Sequence, residues 1–308
     1  KLPIDKLWEY MKNNLPKVTI GMPVYNGAEY IRDTLESLQR QTFQNFLVLI
    51  SDNLSTDNTR SICSEFFEKD ERFKYKCHET NLGSEANFKY ILDQVDSEYF
   101  MFLGHDDWLS DNFLELCIDY LDCNGDTSIT SGVPLYYDNT IFKGKGVIHN
   151  HSQNNAGLRI MDYYYKVKDN GIFYGLMRMD MVDKKTFRNI HSASGEFASD
   201  HHWVATLILK GKSKVFKNCT LHREVGLNSM EHGSSISSRL IINQAHLYLK
   251  TVFYSSKKML EEKTIGILSF LGIFIIIISR WYVKRFLGIK QFQIRKWFKK
   301  AFFSQFSN

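Results

Sequence analysis

The sequence predicts an α/β protein in which a Rossmann-like, mostly parallel sheet is flanked by helices on both faces. Between residues 17 and 125, short apolar runs alternate with segments of helical periodicity, and the connections are short. Polar clusters follow three of the apolar runs, at residues 23–26, 51–53 and 104–107. Because ligands bind outside the carboxyl ends of strands in such sheets, we expect the three clusters to line one site.

Each element of this first half rests on a local pattern. A leader helix is predicted over residues 1–16, where Pro16 ends the helical pattern. Apolar runs predict strands at 46–50 and 99–103, and shorter strand patterns are predicted at 18–22, which Pro23 closes, and at 73–77. Apolar residues at helical spacing predict helices at 27–41, 55–70, 84–95 and 112–121.

After residue 125 the alternation of strands and helices weakens. Residues 139–170 are rich in Asn, Gly and Tyr, and residues 211–240 are irregular and polar, so both segments are predicted to be loops. Helical patterns are predicted at 179–187 and 200–209, and a further one begins at Leu240.

Charge and cysteine content exclude several classes of protein. The formal net charge is +5, but eight of the 39 basic residues lie in 280–308, a segment without acidic residues. The rest of the chain has 31 basic and 34 acidic residues, which argues against nucleic acid as a partner. The five cysteines form no CxxC pair, which argues against a zinc site or a disulfide framework and fits a reducing compartment.

The adjacent carboxylates of Asp106 and Asp107 follow a strongly apolar run, residues 99–103. An unpaired carboxylate is costly to bury, so the pair should face water, a cation or both. Hard oxygen ligands at the end of a strand suit Mg²⁺ or Mn²⁺ that carries substrate phosphates. The alternative is a solvated Asp-Asp turn that caps the helix beginning near Ser110.

Four segments in order, residues 18–26, 51–59, 81–83 and 103–107, resemble the signatures of inverting family 2 glycosyltransferases, which have the GT-A fold. The resemblance covers about residues 17–235. It implies a transferase that moves a sugar from a nucleotide-diphosphate donor, a UDP- or dTDP-sugar, to a hydroxyl of a glycan or lipid-linked glycan in surface polysaccharide synthesis.

The same resemblance divides the chain. A glycosyltransferase domain is expected over residues 17–240, with a nucleotide-sugar half at 17–125 and an acceptor half at 126–240. A helical tail that associates with the membrane is expected over residues 241–308.

Several residues of the first half are implied at the donor site. Pro23 and Tyr25 follow the first strand, where the tyrosine ring would lie near the base or the ribose. Asp52 follows the second strand and would accept a hydrogen bond from a base N–H. Glu29 and Asp57 are weaker candidates, since acidic residues also favour the first turn of a helix. The alternatives are a turn aspartate for Asp52 and a half-buried core tyrosine for Tyr25.

The resemblance implies that Asp106 or Asp107 binds a divalent metal, Mn²⁺ or Mg²⁺, that bridges the diphosphate of the donor. Gly104 stands where the family commonly has another aspartate, so the choice between the two carboxylates stays open. His232 is a further candidate for the metal. Arg223 is a candidate for the diphosphate, because its planar fork of donors matches phosphate oxygens. Both could instead be ordinary residues of surface loops.

Inverting transfer also requires a base that takes the proton of the acceptor hydroxyl. Residues 195–203 resemble the acceptor-side segment of the family, in which an aspartate opens a helix. We assign Asp200 as the base, with Glu196 as the second choice; the alternative for Asp200 is a plain helix-terminal residue. Trp203 is either part of a sugar platform or a core residue.

The C-terminal tail has the composition of a membrane-associated segment. Residues 264–279 carry no charge, but 16 residues are short of the about 20 that a spanning helix needs. Residues 284–303 alternate basic and apolar side chains, which is typical of a helix on an anionic membrane surface. We expect an in-plane attachment at the cytoplasmic face of the cell membrane; the alternative is a buried C-terminal helix.

Two other functions are compatible with an α/β sheet and a metal site. A sugar-phosphate nucleotidyltransferase would be expected to have a Gly-rich loop with Lys or Arg after the first strand, and residues 23–27 have neither feature. A catalytically silent glycan-binding protein of the same fold is the non-enzymatic alternative, motivated by Gly104 and Ser199.

Overall fold

The computed structural model describes residues 15–147, 149–166, 171–184 and 199–224. The predicted leader helix lies almost entirely outside these residues, and the predicted tail over 241–308 lies wholly outside them. The described residues therefore cover the greater part of the expected glycosyltransferase domain.

The described residues form nine strands, six α-helices and two short 3₁₀ turns. The strands are β1 (Val18–Val24), β2 (Phe46–Asp52), β3 (Phe73–Cys77), β4 (Tyr99–Phe102), β5 (Asp107–Leu109), β6 (Thr127–Asp138), β7 (Ile141–Lys145), β8 (Leu176–Arg178) and β9 (Lys212–Glu224). The helices are α1 (Ile31–Gln39), α2 (Thr59–Phe67), α3 (Ser84–Asp93), α4 (Phe113–Cys123), α5 (Ala156–Lys166) and α6 (Ser199–Lys210). The 3₁₀ turns are Gly171–Tyr174 and Met179–Met181.

All nine strands belong to one sheet, in the order β3-β2-β1-β4-β8-β6-β9-β5, with β7 paired to β6. The half formed by β3, β2, β1 and β4 is parallel, as predicted. The other half is mixed, because β8 runs antiparallel to β4 and β6, and β5 runs antiparallel to β9. The α/β class is confirmed, and the parallel arrangement holds for the first half of the sheet.

The alternation of side chains along β4 divides the core into two layers. Phe100 and Phe102 pack on one face of the sheet, with apolar residues of α3, α5 and α6. Tyr99, Met101 and Leu103 pack on the other face, with apolar residues of α1, α2 and α4. Because successive residues of a strand point to opposite faces, a continuous apolar run is the pattern that a strand covered on both faces requires.

The structure corrects the predictions for residues 126–224. The segment 139–170, predicted to be loops, contains β7 and α5, and the segment predicted to be irregular from residue 211 begins with β9. Of the helix predicted at 179–187, the described part begins with a 3₁₀ turn over Met179–Met181 and becomes helical at Lys184, and residues 185–187 lie outside the described residues. The helix predicted at 200–209 is confirmed as α6.

Strand β6 was missed because its sequence, TSITSGVPLYYD, is polar and contains a glycine and a proline. Its first eight residues are nevertheless buried. β6 pairs with β8 on one side and with β9 on the other, and both of these strands are distant in the sequence. Pairing with distant strands therefore outweighed the low intrinsic strand propensity of these residues.

No helix among residues 15–147, 149–166, 171–184 and 199–224 combines the length and apolarity needed to cross a bilayer. The segment for which membrane association was predicted, residues 264–303, lies outside this part of the chain.

Gly21 permits the close approach of α3 to β1, so Gly21→Ala is expected to destabilise the fold. A Cβ at this position would lie 2.2 Å from Cγ2 of Ile91 and 3.1 Å from a ring carbon of Phe100. Overpacking of this kind lowers the free energy of unfolding by about 1–3 kcal/mol, which urea denaturation would measure. The control is Gly125→Ala, where a Cβ meets no atom within 4 Å; an equal loss in the two variants would contradict this account.

Candidate active site

A cavity of about 380 Å³ lies at the carboxyl ends of β1, β2 and β4. Pro23 lines it at the end of β1 and Tyr25 just after that strand, Asn53 lines it after β2, and Asp106 lines it after β4. The three polar clusters predicted from the sequence therefore meet at one rim, which is what the parallel arrangement of these strands requires.

The loop that carries Tyr25 is held in place by the neighbouring loop between β2 and α2. The backbone N–H of Gly27 donates to the hydroxyl of Thr59 at 2.9 Å, and the N–H of Thr56 donates to Oδ1 of Asn26 at 2.8 Å. Asn26 has a left-handed φ of 52°, a conformation that asparagine tolerates better than most residues. Tyr25 itself is 48 % exposed, so its ring is available to a ligand.

Asp57, one of the weaker donor-site candidates, joins these two loops. Its carboxylate accepts hydrogen bonds from the backbone N–H of Ala28 at 3.0 Å and from the backbone N–H of Thr59 at 3.0 Å. Burial raises the pKa of Asp57, but the hydrogen bonds from Thr59 and Ala28 outweigh it and the pKa lies below its ordinary value. Glu29, the other weak candidate, is solvent-exposed just before α1.

Asp52 is buried beneath the cavity. One oxygen of its carboxylate accepts the backbone N–H of Ser55 at 2.8 Å, and the other accepts the hydroxyl of Tyr75. These bonds hold the turn after β2, and the adjacent Asn53 is the residue of this cluster that lines the cavity. That Asp52 binds the base of the donor stays a prediction.

The two carboxylates after β4 have different environments. Asp106 lines the cavity, whereas Asp107 is only 2 % exposed and its Oδ2 lies 3.4 Å from Nε of Arg223. Burial raises the pKa of Asp107 to about 7, against the opposing effect of Arg223. Asp106 is therefore the carboxylate that faces the cavity, and Asp107 is the one that faces the protein.

Gly104 lies next to both carboxylates. A Cβ at this position would lie 2.6 Å from Oδ1 of Asp106 and 3.0 Å from Oδ2 of Asp107. Both atoms are the ends of flexible side chains, so a larger residue would be accommodated by rotation of Asp106 or Asp107. The glycine leaves room for the orientation of the carboxylates that the structure shows.

The carboxylate of Asp106, which lines the cavity, fits a hard divalent cation, since Mg²⁺ and Mn²⁺ prefer oxygen ligands. The nearby Oδ2 of Asp107 already pairs with Arg223. Within the described ranges, no group of three or more His, Cys, Asp or Glu residues is arranged to hold a metal ion. Ligands from the substrate would thus make up much of the coordination sphere, as is usual for Mg²⁺ bound with phosphates. The third predicted metal residue, His232, lies outside the described residues.

Tyr174 is a cavity residue that the sequence analysis missed. The guanidinium of Arg223 lies 4.2 Å from the centroid of its ring, close enough for a cation–π interaction. Burial raises the pKa of Tyr174 to about 12; Arg223 opposes this rise, and Asp107, Asp106 and Asp200 add to it. No sequence motif marks Tyr174. It is the last residue of the 3₁₀ turn that precedes β8.

The structure brings the predicted base toward the same cluster. Asp200 is the second residue of α6, and it lies near enough to Tyr174 to influence the pKa of that phenol. Its Oδ1 accepts the backbone N–H of the next residue, His201, at 2.8 Å, and an acidic side chain in the first turn of a helix is favoured by the helix dipole. The second-choice base, Glu196, lies outside the described residues.

Trp203 is a core residue and not a sugar platform. Its side chain is 1 % exposed, and its indole N–H points to Sδ of Met177 at 3.2 Å. Of the two interpretations that the sequence left open, the structural one is confirmed.

Comparison with known proteins identifies the family. Residues 19–189, more than half of the chain, match the model of glycosyl transferase family 2. The chain therefore belongs to this family, and the resemblance seen in the four segments of the sequence is confirmed.

Two relatives show how far the similarity extends. Glycosyltransferase GlyA of Streptococcus pneumoniae is 30 % identical over 155 residues, which are 50 % of this chain but only 20 % of GlyA. The GalNAc(5)-diNAcBac-PP-undecaprenol beta-1,3-glucosyltransferase of Campylobacter jejuni is 23 % identical over 256 residues, which are 81 % of this chain and 78 % of that protein.

A solved structure supports the fold. The crystal structure of S. aureus TarS 1-349 in complex with UDP-GlcNAc has a TM-score of 0.60 and 18 % sequence identity, covering 92 % of this chain and 79 % of TarS 1-349. The arrangement of the mixed sheet and its helices is thus that of the GT-A fold, as the sequence predicts.

The pair formed by Asp107 and Arg223 leads to a stability prediction. Arg223→Met leaves a buried carboxylate without its cation, and we expect the free energy of unfolding to fall by about 3 kcal/mol. The double variant Asp107→Asn, Arg223→Met removes both charges and should recover at least half of that loss. Urea denaturation of the two single variants and the double variant measures the coupling; additive effects would show that the pair is not an energetic unit.

Proposed function

We propose that this protein is an inverting glycosyltransferase that moves one sugar from a UDP- or dTDP-sugar to a hydroxyl of a glycan or lipid-linked glycan. The observation that carries the proposal is the cavity at the carboxyl ends of β1, β2 and β4, with the exposed ring of Tyr25 on one wall and the carboxylate of Asp106 on another. Its volume of about 380 Å³ lies in the range of sites that bind small ligands.

The proposed donor is supported by the chemistry of the cavity and by the relatives. The exposed ring of Tyr25 offers a flat apolar surface and a hydroxyl to a base or a ribose. TarS is described in complex with UDP-GlcNAc, and the C. jejuni relative is named as a glucosyltransferase. Both support a nucleotide-activated hexose or N-acetylhexosamine as the class of donor.

Asp106 would hold a divalent metal, Mn²⁺ or Mg²⁺. Asp107 would be a second, buried carboxylate next to that site. Such a metal, when bound, neutralises the charge of the leaving diphosphate. The exposure of Asp106 in the cavity favours it over Asp107, which already faces Arg223.

Transfer then requires one displacement at the anomeric carbon. The oxygen of the acceptor hydroxyl forms a bond to that carbon, and the bond between the carbon and the diphosphate oxygen breaks with its electrons on the leaving nucleotide. The carboxylate of Asp200 takes the proton of the attacking hydroxyl. A single displacement from the opposite side inverts the configuration of the anomeric carbon.

The proposed setting is surface polysaccharide synthesis at the cytoplasmic face of the cell membrane. The name of the C. jejuni relative includes an undecaprenol-linked acceptor, which supports a lipid-linked glycan as acceptor here. The basic residues of 280–308 support attachment to an anionic membrane surface.

The direct test is release of the nucleotide from a panel of sugar nucleotides in the presence of Mn²⁺ or Mg²⁺, combined with thermal shift for donor binding. We expect a UDP- or dTDP-sugar to stabilise the protein and to be consumed when a glycan acceptor is supplied. Donor binding without consumption under every condition would support the silent glycan-binding alternative. Failure of every donor to bind would refute the proposal.

Asp106→Asn is expected to abolish metal-dependent donor turnover. Loss of the charged ligand should lower the rate about 100-fold or more, measured as UDP or dTDP released per enzyme. The control is Asp111→Asn on the following loop, where the carboxylate pairs with Arg40 at the surface. Equal turnover of the Asp106→Asn protein and the wild type would rule out Asp106 as the metal residue.

Asp200→Asn is expected to separate donor binding from transfer. The amide keeps the size of the side chain but cannot take a proton, so the transfer rate should fall about 100-fold to 10,000-fold. The dissociation constant for the donor should stay near that of the wild type, because Asp200 acts on the acceptor. Normal transfer by this variant would assign the base to another residue, with Glu196 the next to replace.

Neutralising the tail is expected to weaken binding to anionic vesicles. Replacing Arg295, Lys296, Lys299 and Lys300 with Gln should reduce the partition coefficient on phosphatidylglycerol vesicles about tenfold or more. A matched control replaces four exposed lysines of the body with Gln, namely Lys69, Lys74, Lys76 and Lys89. Equal loss in the two variants would mean that the tail has no special part in attachment.

A further inference from the structure

The hairpin of β6 and β7 presents apolar side chains to solvent. Ile141 is 63 % exposed, Phe142 is 56 % exposed and Val147, just after β7, is 45 % exposed. The other large apolar residues that are exposed in the described ranges lie at Leu15, near the N-terminal end of these ranges, or on the loops around the cavity (Tyr25, Leu54 and Leu82). Single exposed apolar residues are ordinary, but Ile141, Phe142 and Val147 lie on one hairpin, and grouped apolar side chains of this kind are typical of a contact surface.

The tip of this hairpin is held in a defined shape. Asn139 and Thr140, the two residues of the turn, have φ values of 50° and 65°, the left-handed values of a tight hairpin turn. Their backbone N–H groups donate to the carboxylate of Glu224, at 2.5 Å and 3.4 Å. Glu224 is itself buried at the end of β9. The apolar residues are therefore displayed by a preformed turn.

The charge of the hairpin is basic. Residues 139–147 include Lys143 and Lys145 and contain no acidic residue. Lys143 pairs with Asp138 at the base of the turn at 3.2 Å, and Lys145 is exposed. Apolar side chains at a tip, followed by lysines, match the boundary between the acyl chains and the headgroups of an anionic bilayer.

We propose that residues 139–147, the β6–β7 hairpin tip, insert into the surface of an anionic lipid bilayer. Ile141 and Phe142 enter the acyl boundary, and Lys143 and Lys145 face the phosphates of the lipids. The described residues end at Glu224, which holds the tip of the hairpin. The basic segment 280–308 follows later in the sequence. That segment has the same sign of charge as the hairpin, which favours the lipid over the tail as the occupant of this surface.

An aromatic series connects the hairpin to the site. The ring of Phe142 lies 5.7 Å from that of Tyr137, and Tyr137 lies 5.0 Å from Trp108, the residue after Asp107. The depth of the hairpin in the lipid would therefore set the height of the cavity above the membrane. This last point rests on the proposed function, since it concerns a lipid-linked acceptor; the insertion of the hairpin does not.

A fluorescent probe on the hairpin tests the insertion directly. The full chain, with Cys77 and Cys123 replaced by Ser, carries Ile141→Cys labelled with an environment-sensitive nitrobenzoxadiazole. The matched control carries the label at Lys217→Cys, an exposed residue of the same strand as Glu224 but seven residues from it. Vesicles of phosphatidylcholine with one quarter phosphatidylglycerol are compared with pure phosphatidylcholine.

The expected result is a blue shift and a rise in emission at position 141 on the phosphatidylglycerol vesicles, with quenching by brominated acyl chains, and no change at position 217. Unchanged emission at position 141 while the protein sediments with the vesicles would overturn the proposal, because the tail alone would then bind. A blue shift without vesicles that disappears on dilution would also overturn it and would indicate a second copy of the chain.

A pair of double variants gives a second measurement. Ile141→Ser with Phe142→Ser should reduce the partition of the full chain onto the phosphatidylglycerol vesicles about tenfold. The control, Leu54→Ser with Leu82→Ser, removes two exposed apolar side chains elsewhere and should leave partition unchanged. Equal partition of the two would overturn the proposal. Nucleotide release by the same preparations is measured separately, so a failure of insertion is distinguishable from a failure of the proposed transferase activity.

Discussion

The buried carboxylate of Asp107 constrains the architecture around the site. A charge in the interior destabilises the fold by several kcal/mol unless a partner of opposite charge reaches it, and here the partner is Arg223, 116 residues away in the sequence. The pairing requires β5 to lie against β9, which joins the far edge of the sheet to the segment after β4. With Asp107 directed inward, the preceding residue, Asp106, is presented to the cavity.

The donor side of the site is organised by hydrogen bonds between loops. Asp57 joins the loops after β1 and β2, and Asp52 holds the turn after β2 from below. Both were considered as donor ligands, and in the structure both support the residues that line the cavity, Tyr25 and Asn53. Residues that hold the loops in this way lower the conformational entropy that would be lost on binding. A nucleotide would therefore meet a preformed surface.

Local pattern predicted the first half of the sheet because β1, β2 and β4 are largely apolar and buried, and β3 alternates buried and exposed residues as an edge strand does. The strands β1 to β4 and the helices between them were identified, with differences of a few residues at their ends. The second half was not, because β6 and β9 are rich in polar residues and form strands through pairing with each other and with β5, β7 and β8. A polar segment does not reveal from its own composition that a distant segment will cover it.

For this protein, the sequence by itself determined the α/β class, the family, and the set of polar residues at the ends of the parallel strands. Those properties follow from short-range periodicity and from motifs, which are contained in neighbouring residues. The tertiary structure decided that Asp106 lines the cavity while Asp107 faces Arg223, and that Tyr174 and Arg223 belong to the same cluster. These depend on the register between β5 and β9, and register is set by contacts between residues that are far apart in the chain.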